Sequence, residues 1–296
     1  MLSRRFRTRE VPRDQTTGVV NVGLILGPYR NLTTLTASIL SLHPDSQVLN
    51  HGGKRLLRGR QDFIATYTDE RLDRFCTSAL EASVSGKRGD YGGSIRLSHA
   101  FDSEAVSVLY DQRYGDEMLK EHVACLVWKE SQLVTNKIRS SPDKIYHLID
   151  VAPRLRYLMP VRNPLDCALS NMRTGHADRI EGADHSDLVS VLDRILESIA
   201  WFSRISAGHP ECCFMLFQDE APEVICDGLV RTLGIKDDEE WRRAAAISFD
   251  VKGKQYDYEP SLLVAFDESL GRHFGDLPDV AGHLEALVRS HRLSGE

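Results

Sequence analysis

Five short apolar runs, separated by amphipathic stretches, constrain the fold of this chain most strongly. The runs have four to eight residues each, as expected for buried strands, and the stretches between them have helical spacing. Continuous apolar strands are typical of parallel sheets, because helices cover both faces of such sheets. We therefore predict an α/β protein with a mostly parallel central sheet of about five strands, flanked by helices on both faces. The predicted strands are 19–26, 47–50, 123–128, 156–161 and 213–217.

The helical patterns extend along the whole chain. Helices are predicted at 33–42, 69–82, 101–109, 132–150, 164–174, 184–206, 219–233, 238–247, 261–270 and 281–291. Neither a repeat nor a low-complexity tract interrupts them, so we expect a single domain over 1–296. Within it we expect a flexible N-terminal arm at 1–17, a mobile glycine-rich insertion at 84–100, and a C-terminal loop with helices at 250–296.

Composition excludes several classes of function. The formal net charge of -6 produces no global basic field, so no nucleic-acid partner is expected. The six cysteines form no CxxC pair, which argues against a metal site and a disulfide framework. No stretch reaches the ~18 apolar residues of a membrane span, and no apolar segment of a signal peptide follows the basic N-terminus. We expect a cytoplasmic protein without a membrane partner, and the sequence leaves oligomerisation open.

The segment LGPYRNLTT, residues 26–34, places a turn between the first predicted strand and helix. It departs from a Walker phosphate loop, because Thr33 stands in the place of the lysine. A strand–turn–helix still presents backbone N–H groups to an anion, and Arg30, Thr33 and Thr34 add a cation and two hydroxyls. The alternative is an ordinary helix start capped by Asn31 or Thr33.

A second strand–turn–helix signal lies in PVRNPLDCALSNM, residues 160–172. Asn163 is suited to cap a helix whose first residue is Pro164. Arg162 precedes the cap, and Ser170 follows two helical turns later, so that the guanidinium and the hydroxyl could grip one phosphate. Taken alone, the segment also fits a capped helix with a surface arginine. Two such segments in one chain favour a phosphate site.

Together the two segments resemble the sulfotransferases that use 3′-phosphoadenosine 5′-phosphosulfate (PAPS). Residues 28–34, PYRNLTT, stand in the place of the family's 5′-phosphosulfate loop, P-x-[KR]-S-G-T-T. Residues 162–170, RNPLDCALS, match its 3′-phosphate segment, R-[DN]-P-x-D-x-x-x-S. The resemblance covers roughly residues 19–260 and includes a later strand and helix at 214–235. It implies the P-loop nucleotide-kinase-like sulfotransferase fold, PAPS as co-substrate, adenosine 3′,5′-bisphosphate as product, and no metal.

The resemblance also implies roles for particular residues. Arg30, Thr33 and Thr34 would hold the 5′-phosphosulfate, and Arg162 and Ser170 the 3′-phosphate.

The predicted phosphate loop departs from the family pattern at Asn31 and Leu32, which replace its serine and glycine. Glycine at position 32 would let the ligand approach more closely, and Leu32→Gly is expected to cost the helix start some stability through added backbone freedom. Lys252, Gly253 and Lys254 lie at about the place where the family closes a cation over the 3′-phosphate.

In-line sulfuryl transfer needs a base for the acceptor proton and a cation for the charge that grows on the leaving phosphate oxygen. Arg30 and Lys129 are the predicted cations. Three residues compete as the base: His51 after the second predicted strand, Glu130 after the third, and His99 after the glycine-rich stretch. His51 is favoured, because histidine titrates near neutral pH.

The predicted acceptor is a hydroxyl or amine of a small molecule or glycan. The run HGGKRLLRGR, residues 51–60, fits a solvated surface, an acidic acceptor or electrostatic steering of PAPS. Two other functions stay open: a non-catalytic nucleotide-binding module of the same fold, and a P-loop-type nucleotide kinase. Thr33 in the place of the lysine disfavours the kinase.

Overall fold

A six-stranded sheet forms the centre of the computed structural model, which describes residues 18–87, 92–116, 118–249 and 257–293. Its strands are β1 (Asn21–Ile25), β2 (Ser46–Asn50), β3 (Gly93–Ser94), β4 (Cys125–Lys129), β5 (Leu155–Val161) and β6 (Cys213–Phe217). Five of these strands confirm the five apolar runs. The sequence does not predict β3, because two residues are too few to form an apolar run.

The strand order is β3-β2-β4-β1-β5-β6, and all neighbours pair in parallel except β2 and β3. The chain therefore builds one half of the sheet from β1 through β4 and then crosses to β5 on the other side of β1. Parallel strands all end at the same edge of a sheet. In open α/β sheets, ligands bind beyond that edge, where the strand order reverses.

The helices correspond to the predicted ones with two differences. The prediction of one helix at 132–150 is wrong, because two helices separated around Pro142 occupy this stretch. Proline has no backbone N–H to donate, and its ring disfavours helical backbone in the preceding residue. The short helix α2 follows β2 without a predicted counterpart. The helices are α1 (Thr33–Ser41), α2 (Gly53–Leu56), α3 (Asp69–Ser83), α4 (Glu104–Tyr114), α5 (Ser131–Arg139), α6 (Lys144–Val151), α7 (Pro164–Arg173), α8 (Leu188–Gly208), α9 (Pro222–Leu233), α10 (Glu239–Ser248), α11 (Pro260–His273) and α12 (Pro278–Leu293).

Helices cover both faces of the sheet, as predicted. Successive residues of β5 alternate between the faces: Tyr157 and Met159 belong to one apolar core, and Leu158 to the other. The first core contains residues of α3, α5 to α8, α11 and α12, and the second contains residues of α1, α4, α9 and α10. Both sides of the central strands are therefore buried, which explains why those strands read as continuous apolar runs.

Three segments with special predictions have different outcomes. The glycine-rich insertion contributes β3 and the short helices Ile95–Leu97 and His99–Asp102, and its mobility stays a prediction. The arm at 1–17, the stretch at 250–256 and the centre of the insertion at 88–91 lie outside the described residues.

All six cysteines are buried free thiols. Among the helices of the described ranges, none combines the length and the apolar character needed to cross a membrane.

Candidate functional site

The turn between β1 and α1 has a left-handed backbone at three positions. Gly27, Arg30 and Leu32 have φ angles of 100°, 63° and 59°. Glycine adopts this region freely, but each of the other two residues does so at a cost of about 1–2 kcal/mol. Strained backbone of this kind tends to occur at ligand-binding sites.

Helix α1 starts with an open N-terminus. Leu32 is its N-cap residue, no side chain caps it, and the first turn contains no acidic residue. The predicted caps, Asn31 and Thr33, are therefore wrong. Thr33 is buried and Thr34 half-buried in the first turn. An uncapped helix start concentrates N–H donors and partial positive charge, which is suited to an anion.

Asn31 ties the turn to the end of β5. Its side chain is fully buried; Nδ2 donates to the Pro160 carbonyl at 2.5 Å, and Oδ1 accepts from the Arg162 N–H at 3.0 Å. Gly27 N–H donates to Thr135 Oγ1 of α5 at 2.8 Å and ties the start of the same turn to that helix. The Asn31 side chain thus holds the loop in place, and its contact with the nucleotide stays a prediction.

The two predicted phosphate segments meet in space. Arg30 Nε donates to Ser170 Oγ at 3.0 Å across 140 residues of sequence. One guanidinium nitrogen of Arg162 lies 3.5 Å from the Arg30 carbonyl oxygen. As predicted, Asn163 caps α7 and Pro164 is its first residue. The structure therefore gathers two cations and a hydroxyl beside the open start of α1.

Asp166 positions Arg162 and was not among the predicted site residues. Its carboxylate is buried; Oδ2 pairs with Arg162 Nη2 at 3.0 Å, and Oδ1 accepts the Tyr258 hydroxyl at 2.6 Å. Tyr258 is the second described residue after the stretch at 250–256 and follows the exposed Asp257. Asp166 belongs to the matched RNPLD pattern, so the sequence contains a signal for it. The contact with Tyr258 depends on the fold alone.

A second group of polar side chains lies at the ends of β2 and β4, where Asn50 and Lys129 are register partners. Lys129 Nζ lies 3.1 Å from Asn50 Oδ1 and 3.2 Å from His51 Nε2. His51 Nδ1 lies 3.5 Å from Glu130 Oε1. The predicted cation and two of the three predicted bases are thus in one cluster.

Glu130 is the most deeply buried member of this cluster. It is 0% exposed, and its carboxylate accepts from Gly53 N–H at 2.8 Å and from the Tyr29 hydroxyl at 3.4 Å. A side chain at position 53 would lie 2.9 Å from the Glu130 side chain, so the close approach of α2 requires glycine there. His51, with a 26% exposed side chain, is the base candidate that reaches solvent.

Burial and charge shift two protonation equilibria in the cluster. The pKa of Lys129 is lowered to about 8, mainly by burial. The negative charge of Glu130 opposes this shift, and the positive charge of Arg30 adds to it. Burial, and then the negative charge of Glu130, raise the pKa of Tyr29 well above its usual range. Tyr29 is therefore a permanent hydrogen-bond donor, and Lys129 changes charge close to physiological pH.

The third predicted base, His99, is not part of the cluster at the ends of β2 and β4. The His99 side chain is 92% exposed on a surface turn and pairs with Asp102 three residues later. Lys252, Gly253 and Lys254 lie outside the described residues. The basic residues of the 51–60 run (Lys54, Arg55, Arg58 and Arg60) are exposed on and beside α2.

Comparison with known proteins gives similarities of structure only. No family model matches the sequence, and no curated protein matches it. A sulfotransferase from Alicyclobacillus acidocaldarius is similar over 86% of this chain and 94% of its own, with 16% identity and a TM-score of 0.39. The sulfotransferase domain of the Synechococcus PCC 7002 olefin synthase is similar over 90% of this chain and 98% of its own, with 12% identity and a TM-score of 0.40.

A sulfotransferase from Mycobacterium avium is similar over 90% of this chain and 79% of its own, with 12% identity and a TM-score of 0.42. At these levels of similarity, function has to be inferred from the residues and their geometry. The three solved structures are sulfotransferases or sulfotransferase domains.

Proposed function

We propose that the protein is a PAPS-dependent sulfotransferase that transfers a sulfuryl group to a hydroxyl or amine of a small molecule or carbohydrate. The observation that carries this proposal is the contact between Arg30 and Ser170, which brings the two phosphate segments together beside the open start of α1. A nucleotide with phosphates on both sides of its ribose needs two anion sites close together. In this proposal the described residues form both.

In this proposal the two anion sites have separate roles. The N–H groups of α1, the Thr33 and Thr34 hydroxyls, and Arg30 hold the 5′-phosphosulfate. Arg162 and Ser170 hold the 3′-phosphate. Asp166 keeps the Arg162 guanidinium in place through its bond at 3.0 Å, so less side-chain freedom is lost when the phosphate binds.

The cluster at the ends of β2 and β4 supplies the groups for the chemistry. PAPS supplies the sulfuryl group and leaves as adenosine 3′,5′-bisphosphate. A neutral His51 with hydrogen on Nδ1, facing Glu130, has its lone pair on Nε2, which lies 3.2 Å from Lys129 Nζ. In the proposed step the Lys129 ammonium turns to the leaving oxygen, and Nε2 takes the acceptor proton. The acceptor oxygen or nitrogen then bonds to sulfur while the bond between sulfur and the phosphate oxygen breaks. Lys129 and Arg30 stabilise the charge on that oxygen.

The geometry favours His51 over Glu130 as the base. The Glu130 carboxylate is fully buried and accepts hydrogen bonds from Gly53 and Tyr29. It is therefore placed to orient His51 and to stabilise its charged form, as a carboxylate does beside a catalytic histidine. The exposed position of His99, apart from this cluster, removes its support as a base.

Ligand-induced stabilisation tests the donor assignment. Adenosine 3′,5′-bisphosphate should raise the melting temperature in the absence of Mg²⁺, because a ligand that binds only the folded state stabilises it. At a concentration 100 times its Kd the gain is about 2.7 kcal/mol. The shift should be lost in Arg162→Ala and retained in Arg231→Ala, which removes an exposed arginine from the far end of α9.

The outcomes separate the three functions. Greater stabilisation by ATP with Mg²⁺ than by the bisphosphate would favour a kinase. Stabilisation by the bisphosphate, without transfer from labelled PAPS to any hydroxyl or amine in an acceptor screen, would favour a non-catalytic binding module.

A further inference from the structure

A cavity of about 260 Å³ lies between α5, α8 and the turn that follows α7. Pro28, from the predicted phosphosulfate loop, forms part of its wall. Gln132, only two residues after Glu130, forms another part. The cavity therefore shares a wall with the proposed donor loop, and one of its lining residues is on the helix that directly follows Glu130.

The hydrogen bonds around the cavity fix the orientation of Gln132. Asn136 Nδ2 donates to the Arg179 carbonyl at 3.1 Å, and this leaves Asn136 Oδ1 to accept from Gln132 Nε2 at 2.6 Å. Gln132 Oε1 therefore points away from that bond, and this buried oxygen has no hydrogen-bond partner among the residues that the structure describes. The residue is only 6% exposed, and a buried amide oxygen without a partner is costly. A hydroxyl in the cavity would satisfy it once the Gln132 side chain turns, because the oxygen is buried in this conformation.

The charges of the cavity wall are balanced. Arg139 pairs with Glu197 at 2.9 Å, and Arg194 pairs with the same carboxylate at 2.8 Å. Glu181 adds an exposed carboxylate at the rim. Two guanidinium groups thus face two carboxylates, and the wall offers no unmatched positive charge to an anionic ligand. Ile180 and Ile195 contribute apolar surface to the same wall.

We propose that this cavity is the acceptor subsite and that it takes an uncharged, hydroxyl-bearing group of about the size of one sugar ring. A hydroxyl of that group donates to Gln132 Oε1, and its C–H face packs on Ile180 and Ile195. The volume is slightly below the ~300–1,000 Å³ of pockets for drug-sized ligands, which suits a single ring. The assignment rests on the proposed function. It selects a neutral acceptor over the acidic one that the basic run at 51–60 also allows.

Saturation-transfer NMR with two matched probes tests this assignment. Methyl β-glucoside and methyl β-glucuronide share a ring and differ by one carboxylate. Each is titrated into the protein that is saturated with adenosine 3′,5′-bisphosphate. We expect the glucoside to bind more tightly than the glucuronide. Gln132→Met should weaken glucoside binding by about 5–10-fold, as expected for the loss of one hydrogen bond.

Two variants make the test specific. Glu181→Trp places a large side chain at the exposed rim and should abolish glucoside binding. Because position 181 is exposed, this change should not disturb the core as a buried substitution could. Lys54→Gln removes an exposed charge of α2 and should leave glucoside binding unchanged. The assignment is overturned if neither probe binds, if glucoside affinity is the same in wild type, Gln132→Met and Glu181→Trp, or if the glucuronide binds more tightly and Lys54→Gln weakens it. Glucoside binding to a protein that does not bind the bisphosphate supports the cavity as a sugar site and overturns the proposed donor.

Discussion

Lys129 allows the electrostatics of the candidate site to be tested with and without an activity assay. Its side chain is 6% exposed, and its partners are the Asn50 oxygen at 3.1 Å and His51 Nε2 at 3.2 Å. Burial lowers its pKa to about 8, from an ordinary value near 10.4. With about 1.4 kcal/mol per unit, keeping this ammonium buried costs the folded protein about 3 kcal/mol below pH 8.

The sign of the pH dependence follows from this cost. Between about pH 8 and pH 10.4 the folded protein has lost the proton while the unfolded chain keeps it, so the free energy of unfolding rises with pH over this window. Urea unfolding at several pH values should therefore show a rise in wild type that is about 3 kcal/mol larger than in Lys129→Met. The difference between the two proteins isolates Lys129, because the contributions of other titrating groups largely cancel.

The same ionisation should control turnover if the proposed chemistry is right. The kcat/KM for sulfuryl transfer reports ionisations of the free enzyme and should fall above about pH 8, as the Lys129 ammonium is lost. Lys129→Arg keeps its charge at all these pH values and should shift the decline upward or remove it. Identical pH slopes of unfolding in wild type and Lys129→Met would refute the reasoning about burial. If kcat/KM declines at the same pH in Lys129→Arg as in wild type, the catalytic role of Lys129 is refuted.

Further substitutions test the loop, the phosphate contacts and the base. Leu32→Gly should be more stable than Leu32→Ala by about 1 kcal/mol, because φ is 59° at this position. This difference corresponds to a melting temperature that is roughly 2–4 °C higher. Calorimetry that ranks glycine below alanine would contradict the strain. Arg162→Ala should weaken adenosine 3′,5′-bisphosphate binding by about 2–4 kcal/mol, and Ser170→Ala by about 1 kcal/mol, in titration calorimetry. Equal affinities of both variants and wild type would exclude them from the site. His51→Asn, which tolerates the positive φ of 58°, should lower kcat by about 10²–10⁴-fold with bisphosphate affinity nearly unchanged. Near-wild-type kcat in a transfer assay would remove His51 as the base.

Local signals were sufficient for the elements that surround the site. Asn163 and Pro164 start α7 as predicted, because a cap and a proline act within one turn of the chain. The five apolar runs became strands, since both faces of the sheet are covered and a continuous apolar pattern has few other uses. His51, Lys129 and Glu130 follow strand ends in the sequence, and parallel pairing brings such ends to one edge.

The loop at residues 27–32 shows where local reasoning failed. Asn31 is a good cap by residue type, but its amide instead bridges to Pro160 on β5 and to Arg162 just after that strand. Leu32 was expected to lose stability on replacement by glycine, and its left-handed backbone reverses that expectation. A tertiary partner competed with the local cap for Asn31. No local sequence pattern predicts a positive φ angle at a leucine.

The sequence by itself determined the fold class, the strand positions and the strand–turn–helix form of the segments at 26–34 and 160–172, because each depends on periodicity or on contacts within one turn. Only the tertiary structure decided the strand order, the 3.0 Å contact of Arg30 with Ser170, the burial that separates Glu130 from His51, and the pairing of Asp166 with Tyr258. These features join residues about 80 to 140 positions apart. Such pairs form through the packing of the whole sheet and its helices, which no single segment of the chain encodes.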